Sequence, residues 1–138
     1  IFVNKTKFLV QNLTNTIIQV KWGIEIVWCL RTPINATSKS KIQKIACASD
    51  YCKPGSKSKN DLHDHIAEAY NLLSTKYQKG LHFIIAGDTN DLNLTPITNL
   101  SPNLHKIVKT PTRVDTVTGV EAILDPIITT LTPYYQTP

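Results

Sequence analysis

The pattern of apolar and polar residues along the chain predicts a set of strands around one central segment, residues 81–90. This segment begins with apolar residues that stop at Gly87, which is typical of a buried strand that delivers polar side chains to a loop. Shorter apolar segments, separated by polar turns, predict an antiparallel meander near the start of the chain. They are residues 1–3, 7–10, 17–22 and 25–30.

The segment that begins at Asn60 predicts an amphipathic helix. Its apolar residues recur at spacings of three and four positions, which places them on one face. They are Leu62, Ile66, Ala69, Tyr70, Leu73 and Tyr77. Asn60 or Asp61 is expected to cap the start of this helix, and Gly80 follows its end.

An inner strand is expected over residues 41–49, before the helix, and it ends at Asp50-Tyr51-Cys52. Together with the helix and the central strand it forms a β-loop-α-β unit. The two strands of this unit are therefore expected to be parallel or near-parallel neighbours.

The last third of the chain alternates short apolar runs with turns. We expect a helical turn over residues 94–97, a strand over 104–108 and a turn at Thr118-Gly119. Residues 122–128 predict a further buried strand, which contains Asp125. Because an unpaired carboxylate inside such a strand is unfavourable, a partner for Asp125 is expected.

Asp88 and Asn90 follow the central strand and form the main candidate site. Successive residues of an extended segment alternate sides, so these two side chains point the same way and can act on one ligand atom. A carboxylate beside an amide is suited to a phosphate group or a metal ion. The alternative is a turn, in which Asp and Asn bind their own backbone.

The formal net charge of +5 favours an anionic partner, with nucleic acid as the leading candidate. Lysines crowd one stretch of the chain, where they can displace the counterions of a phosphate backbone. They are Lys39, Lys41, Lys44, Lys53, Lys57 and Lys59. The alternative is a solvated basic loop without a partner.

Composition narrows the cellular setting. Three cysteines without a Cys-x-x-Cys pair argue against a zinc site or a disulfide framework, and they favour a reducing compartment. No apolar run approaches membrane-spanning length. Five Asn-x-Ser/Thr triplets leave open an extracellular glycoprotein, although such triplets arise by chance in a chain rich in Asn and Thr.

Several of these pieces together resemble the endonuclease/exonuclease/phosphatase superfamily, and within it the endonuclease domains of non-LTR retrotransposons. The matching segments are residues 50–56 around Tyr51, the helix, and residues 85–90, 111–113 and 123–128. Their order and spacing extend over most of the chain.

The resemblance implies a four-layered α/β sandwich, in which two mixed β-sheets lie face to face with helices outside. Residues 1–138 would be a partial domain of this kind, incomplete at both ends. The implied chemistry is hydrolytic nicking of DNA, assisted by a divalent metal that is usually Mg2+. The implied setting is intracellular and nuclear, with no membrane and no obligate protein partner.

Carried over residue by residue, the resemblance makes Asp88 the group that orients and deprotonates the attacking water. Asn90 would hold a non-bridging phosphate oxygen, and Tyr51 would donate a hydrogen bond to the phosphate. Asp125 would match an acid that orients a catalytic histidine. Contacts to DNA are expected from Lys53, Lys57 and Lys59 of the basic stretch and from Thr112 and Arg113, where the family has a loop near the DNA.

The chain also departs from the family pattern. The metal-binding Glu of the family lies before Ile1 and its closing Ser-Asp-His lies beyond Pro138, so no metal ligand is assigned and the 138 residues alone are expected to have little nuclease activity. Thr89 stands where a bulkier residue is common. The alternative function is that of a catalytically inactive remnant, a basic nucleic-acid-binding or structural domain.

Overall fold

The computed structural model describes residues 6–55 and 57–131. Within these ranges the elements follow one another as β1 Phe8–Asn12, β2 Glu25–Pro33, β3 Lys44–Tyr51, α1 Lys59–Tyr77, β4 Leu81–Asp88, α2 Thr95–Thr98, β5 His105–Lys106, β6 Arg113–Val114, β7 Glu121–Ala122 and β8 Ile127–Thr129. The strand that we predicted at residues 1–3 lies outside the described residues.

Six strands of the described chain form one mixed sheet in the order β1-β2-β3-β4-β8-β5. β1, β2 and β3 are antiparallel neighbours, β3 and β4 are parallel, and β8 lies antiparallel between β4 and β5. A separate antiparallel ribbon pairs β6 with β7. The mixed α/β class and the parallel β3–β4 pair are confirmed, and the second sheet within the described ranges has two strands.

Helix α1 covers one face of the six-stranded sheet. Its buried side chains Ile66 and Leu73 share one core cluster with Trp28, Phe83 and Ile85 from the strands. Burial of side chains of this size stabilises the fold by about 1.5–3 kcal/mol each. The three- and four-residue spacing in the sequence predicted this face of the helix.

The opposite face of the sheet carries a smaller cluster of buried residues: Cys29, Ile45, Cys47 and Leu131. Side chains alternate along a strand, so the residues of β3 on this face continue from Cys47 through Ser49 to Tyr51. The face therefore extends from a buried cluster to the exposed end of β3.

Helix α1 begins one residue earlier than expected. Ser58 takes the N-cap position, and its carbonyl accepts the N–H of Leu62 at 3.0 Å. Asn60 and Asp61 both lie inside the first turn, so the prediction that one of them caps the helix is wrong.

No helix within residues 6–55 and 57–131 is long and apolar enough to cross a membrane.

Residues 17–22 form no strand, contrary to prediction. The carbonyl of Leu13 accepts the N–H groups of Thr16, Ile17 and Ile18 at 3.2, 3.1 and 2.9 Å, which closes a compact turn. Leu13 and Ile18 are both buried in the core. The apolar spacing in this segment therefore reflects the anchoring of a turn, and it was misread as strand alternation.

The predicted strand over residues 122–128 is interrupted. β7 ends at Ala122 and β8 begins at Ile127, and Asp125 is exposed on the connection between them. Pro126 lacks the N–H that a strand ladder needs, which accounts for the break directly before β8. The expectation that Asp125 lies inside a buried strand and needs a partner there is wrong.

Candidate active site at the ends of β3 and β4

The parallel strands β3 and β4 end side by side, which places two of the predicted site residues together. Tyr51, the last residue of β3, is the Cα partner of Asp88, the last residue of β4. Partners in register project from the same face of a sheet, so the phenol and the carboxylate share the face opposite α1. Tyr51 is 41% exposed and Asp88 is half-buried. A ligand in solvent can therefore reach both groups.

Asn90 lies at the same edge and connects the two strand ends. Its Nδ2 donates a hydrogen bond to the carbonyl of Cys52 at 2.9 Å, and its backbone N–H donates to Asp88 Oδ1 at 3.3 Å. Its φ of 46° is in the left-handed region, which Asn tolerates better than most residues. The turn that the sequence left as an alternative is present, and it brings Asn90 close to the ends of both strands.

Thr89 anchors the loop that carries Asp88 and Asn90. It is buried, its N–H donates to the carbonyl of Leu124 at 2.7 Å, and its Oγ1 donates to the same oxygen at 3.2 Å. This double contact gives a physical reason for a small hydroxyl residue where the resemblance leads one to expect a bulkier one. The sequence pattern carried no signal for this role.

Asp50, which precedes Tyr51, is a buried acid that the sequence analysis did not single out. It is 6% exposed, and neither carboxylate oxygen has a hydrogen-bond partner within the described chain. Burial, to which the nearby charge of Asp88 adds, raises the pKa of Asp50 from 3.8 to about 6. A signal was available, because Asp50 shares the helix-facing side of β3 with Ala46 and Ala48, which are core residues.

We expect the contribution of Asp50 to stability to fall as the pH rises. Because its pKa is raised in the folded state, the contribution is fully present below the ordinary value of 3.8 and is lost as the pH passes about 6. Compared with Asp50→Asn, which does not ionise, the wild type should lose on the order of 2–3 kcal/mol of unfolding free energy between about pH 3.5 and pH 7.5. Urea denaturation of both proteins at the two pH values measures the difference. A parallel pH dependence in the two proteins would show that Asp50 is not buried as described.

Thr112 supports the segment that precedes β8. Its hydroxyl accepts the N–H of Leu124 at 2.9 Å and that of Asp125 at 3.3 Å. The carbonyl of Leu124 in turn accepts the hydrogen bonds of Thr89. Thr112 therefore stabilises the backbone beside the site loop, whereas a contact of Thr112 with DNA and the orientation of a histidine by Asp125 stay predictions.

Arg113, the first residue of β6, lines an open cleft of about 520 Å³ together with Asn90, Asp91 and Leu124. The cleft places a guanidinium near the site loop, on the side of the β6–β7 ribbon. A phosphate that reached Asn90 from this side would pass close to the positive charge of Arg113.

The three candidate lysines differ in their surroundings. Lys53 and Lys57 are exposed in the connection between β3 and α1. Lys59 Nζ lies 2.5 Å from Asp91 Oδ2, and the hydrogen bond from Lys59 lowers the pKa of Asp91. Lys59 thus already has an anionic partner at the protein surface, so we expect Lys53 and Lys57 to be the more available partners for a phosphate.

The residues at this edge do not by themselves fit a Mg2+ site. No group of three or more His, Cys, Asp or Glu side chains in residues 6–55 and 57–131 could hold a metal ion. Asp88 is the partner of Tyr51 in the strand register, and Asp50 is the partner of Gly87. Because adjacent positions of a strand face opposite sides, the two carboxylates project from opposite faces of the sheet.

No family model and no curated protein matches this chain. Similar solved structures include D. rerio TDP2 humanized by 14 mutations, which is 14% identical with a TM-score of 0.46 over 89% of this chain and 51% of that chain. They also include D. rerio TDP2 complexed with single strand DNA product, which is 13% identical with a TM-score of 0.42 over 89% and 52% of the two chains. The chain spans about half the length of these structures. Similarity at this level identifies neither a family nor an activity.

Proposed function

We propose that this chain contains part of the active site of a phosphodiester hydrolase that nicks DNA, and that this part lies at the ends of β3 and β4. Retrotransposon endonucleases are enzymes of this kind. The observation that supports this is the register of β3 and β4, which puts the Tyr51 phenol and the Asp88 carboxylate side by side at a solvent-accessible edge. The carboxyl ends of parallel strands are a common location of ligand sites in α/β proteins. An intracellular, nuclear location belongs to the same proposal.

In this proposal Asp88 accepts a proton from the attacking water, and a general base of this kind typically contributes about 10²–10⁴-fold to a rate. The O–H of Tyr51 donates a hydrogen bond to the phosphate oxygen on which negative charge accumulates. Asn90 uses one amide hydrogen for the carbonyl of Cys52. An amide carries two donor hydrogens, so the second is left for a non-bridging phosphate oxygen.

DNA is the proposed substrate because of the charges near this edge. Lys53 and Lys57 are exposed just beyond the end of β3, and Arg113 shares a cleft with Asn90. The formal net charge of +5 adds a long-range attraction for a polyanion. The DNA backbone would thus cross the edge between the β3–α1 connection and the β6–β7 ribbon.

A nicking assay on supercoiled plasmid tests the proposal. The chain is assayed alone and together with its flanking sequence, each with Mg2+ and with EDTA, because the resemblance implies Mg2+ and the residues at this edge do not hold it alone. We expect open-circular product from the longer protein with Mg2+ and none with EDTA. Absence of product under every condition would contradict a hydrolytic function.

A non-catalytic nucleic-acid-binding domain is the second candidate, and one observation favours it. Asp88 Oδ1 accepts the N–H of Asn90, and the Asn90 amide donates to Cys52, so these polar groups already stabilise the loop itself. A protein of this kind would bind DNA with the same lysines and leave it intact. The nicking assay, read beside a binding assay, separates the two candidates.

Removing Lys53 and Lys57 should weaken DNA binding for all sequences alike. Each lost phosphate contact is expected to flatten the log-log dependence of the binding constant on salt by about 0.9. Replacement of both by Ser should therefore reduce the slope by about 1.8 if each meets one phosphate of duplex DNA. Fluorescence anisotropy of a labelled duplex across a salt series measures the slope.

Lys76→Ser/Lys79→Ser is the matched control for this experiment, because it also loses two units of positive charge. Both lysines are exposed, Lys76 in the last turn of α1 and Lys79 between α1 and β4, so both lie toward the opposite end of β4 from Asp88. This variant does not touch the proposed binding edge. If Lys53→Ser/Lys57→Ser kept the full salt slope, the β3–α1 connection would be a solvated loop and the DNA surface would lie elsewhere.

A further inference from the structure

Cys29 of β2 and Cys47 of β3 are directly opposed across an antiparallel strand pair. Directly opposed residues in such a pair have Cα atoms about 4.5–5.5 Å apart and project from the same face. A disulfide bridges Cα atoms about 4.4–6.8 Å apart. The backbone of β2 and β3 therefore already satisfies the spacing of a cross-strand disulfide, and both cysteines are free thiols in the structure.

The side chains of the two cysteines shift each other's pKa in opposite directions. A side-chain hydrogen bond from Cys47 lowers the pKa of Cys29 to about 7, against the opposing effect of burial, and the charge of Arg31 lowers it further. The same hydrogen bond and burial raise the pKa of Cys47. Around pH 7 about half of Cys29 is therefore a thiolate, whereas Cys47 stays a thiol.

Arg31 is held beside this pair. Its Nη1 donates to Cys47 Sγ at 4.0 Å, and its guanidinium carbon lies 4.4 Å from the centre of the Phe8 ring. Its Nε is buried and has no hydrogen-bond partner in the described chain. Arg31 is half-buried, and a cation in such a position stabilises an anion next to it. The thiolate of Cys29 is the neighbouring anion.

A small oxidant can reach the pair from one side. Cys29 is 9% exposed, and the next residue of β2 on the same face, Val27, is 49% exposed. The partner of Val27 on β3 is Ser49, which is also exposed. Ile45 and Leu131 bury the other side of the pair. Peroxide can therefore approach along the open part of the face, where a bulky disulfide cannot.

We propose that Cys29 and Cys47 form an oxidation site that peroxide converts into a cross-strand disulfide, independently of the proposed DNA chemistry. The thiolate of Cys29 attacks one peroxide oxygen, the O–O bond breaks, and the hydroxide that leaves takes up a proton to become water. This gives a sulfenic acid at Cys29. Cys47 then attacks that sulfur, the S–OH bond breaks, and the hydroxide leaves with the Cys47 proton as a second water. Two thiols and one peroxide thus yield one disulfide and two waters.

Cys52 provides an internal reference. It belongs to the core cluster beneath α1, on the other face of the sheet, and burial is the main cause that raises its pKa. Cys52 carries the same thiol group as Cys29, but not the opposed cysteine and the arginine that lie beside Cys29. Oxidation that is governed by the Cys29–Cys47 geometry should therefore leave Cys52 as a thiol.

The test treats the folded protein with hydrogen peroxide, removes the peroxide, and then blocks the remaining thiols with N-ethylmaleimide in denaturant, where buried thiols also react, before the mass is measured. We expect one N-ethylmaleimide adduct, at Cys52. After subtraction of this adduct, the protein mass should be lower by two hydrogens than that of the untreated protein. Tryptic cleavage should then yield a disulfide between the peptides of residues 22–31 and 45–57. The rate of disulfide formation should rise with pH, and the midpoint of this rise should be at about pH 7, because the thiolate of Cys29 is the reacting form.

A variant without Cys47 tests the first step of the oxidation by itself. In Cys47→Ser the second step is removed, so peroxide should leave a sulfenic acid at Cys29 that dimedone labels. A disulfide that involves Cys52, or three blocked thiols after peroxide has oxidised an equal concentration of a dithiol peptide, would overturn the proposal.

Discussion

Asp88→Asn is expected to reduce DNA cleavage by about 10²–10⁴-fold while leaving DNA affinity within about twofold. The substitution keeps the size of the side chain and removes its ability to take a proton from water. Asp88 also accepts the N–H of Asn90 through Oδ1, and an amide oxygen can accept the same hydrogen bond, so the loop should be preserved. Single-turnover cleavage of a labelled duplex, with the form of the protein that gives product in the nicking assay, measures the rate.

Asp64→Asn is the matched control, because Asp64 is exposed on α1, well before the site loop in the chain. Both variants gain one unit of positive charge, so both should bind DNA equally. If Asp64→Asn slowed cleavage as much as Asp88→Asn, the effect would be one of charge. If Asp88→Asn cleaved at the wild-type rate, Asp88 would not be the base.

Gly87→Ala is expected to destabilise the fold by about 3 kcal/mol, a large effect for one methyl group. A Cβ at Gly87 would lie 1.9 Å from the carbonyl oxygen of Asp50 and 2.7 Å from its Oδ1. The first of these contacts is with backbone that the parallel ladder of β3 and β4 holds in place, so a rotamer change cannot relieve it. Thermal unfolding should show a Tm lower by roughly 10 °C.

Gly55→Ala is the control for this substitution. Gly55 has a φ of 67°, and apart from its chain neighbours no atom of the described residues lies within 4 Å of a Cβ built there, so only the strain of the left-handed backbone is added. The expected loss is about 1 kcal/mol. Equal stability of the two variants would mean that β3 and β4 are less closely packed at their ends than described. In the Gly87-Asp88 pair, the first residue is thus required for packing, and the second is the candidate general base.

Long elements with strong periodicity were predictable from the sequence. Helix α1 has apolar residues at helical spacing over 19 residues, and β4 is a nearly continuous apolar run that ends at the site. Because the helix joins β3 to β4, the parallel pairing of these strands followed as well. That pairing alone places Tyr51 next to Asp88, so the convergence of these residues required no knowledge of side-chain contacts.

Two other segments differ from their predicted structure because of local features of the backbone. Residues 17–22 alternate like a strand, but the Leu13 carbonyl closes a turn, and Ile18 is buried for that reason. Asp125 sits in an apolar run whose ladder is broken at Pro126, so its carboxylate reaches solvent. In both cases a single backbone feature outweighs the pattern of side chains.

Asp50 was missed for a different reason. An acid at a core-facing position contradicts the rule that buried charges have partners, so the sequence pattern favours Asp88 and Asn90 as site residues. The register shows why the position matters: Asp50 stands opposite Gly87 and between the core and the site edge. Because its pKa is raised to about 6, Asp50 titrates near neutral pH, and it lies next to Tyr51 in β3 with its side chain on the other face of the sheet.

A map of the DNA contact surface by NMR shows whether DNA binds at the ends of β3 and β4. Backbone amide shifts of the isotope-labelled Asp88→Asn protein, which should bind DNA without cleaving it, are followed during titration with a short duplex. We expect the largest changes at Tyr51, Cys52 and Asn90 and along the β6–β7 ribbon. Largest changes at the opposite edge of the sheet, around Gly80 and Leu81, would contradict it.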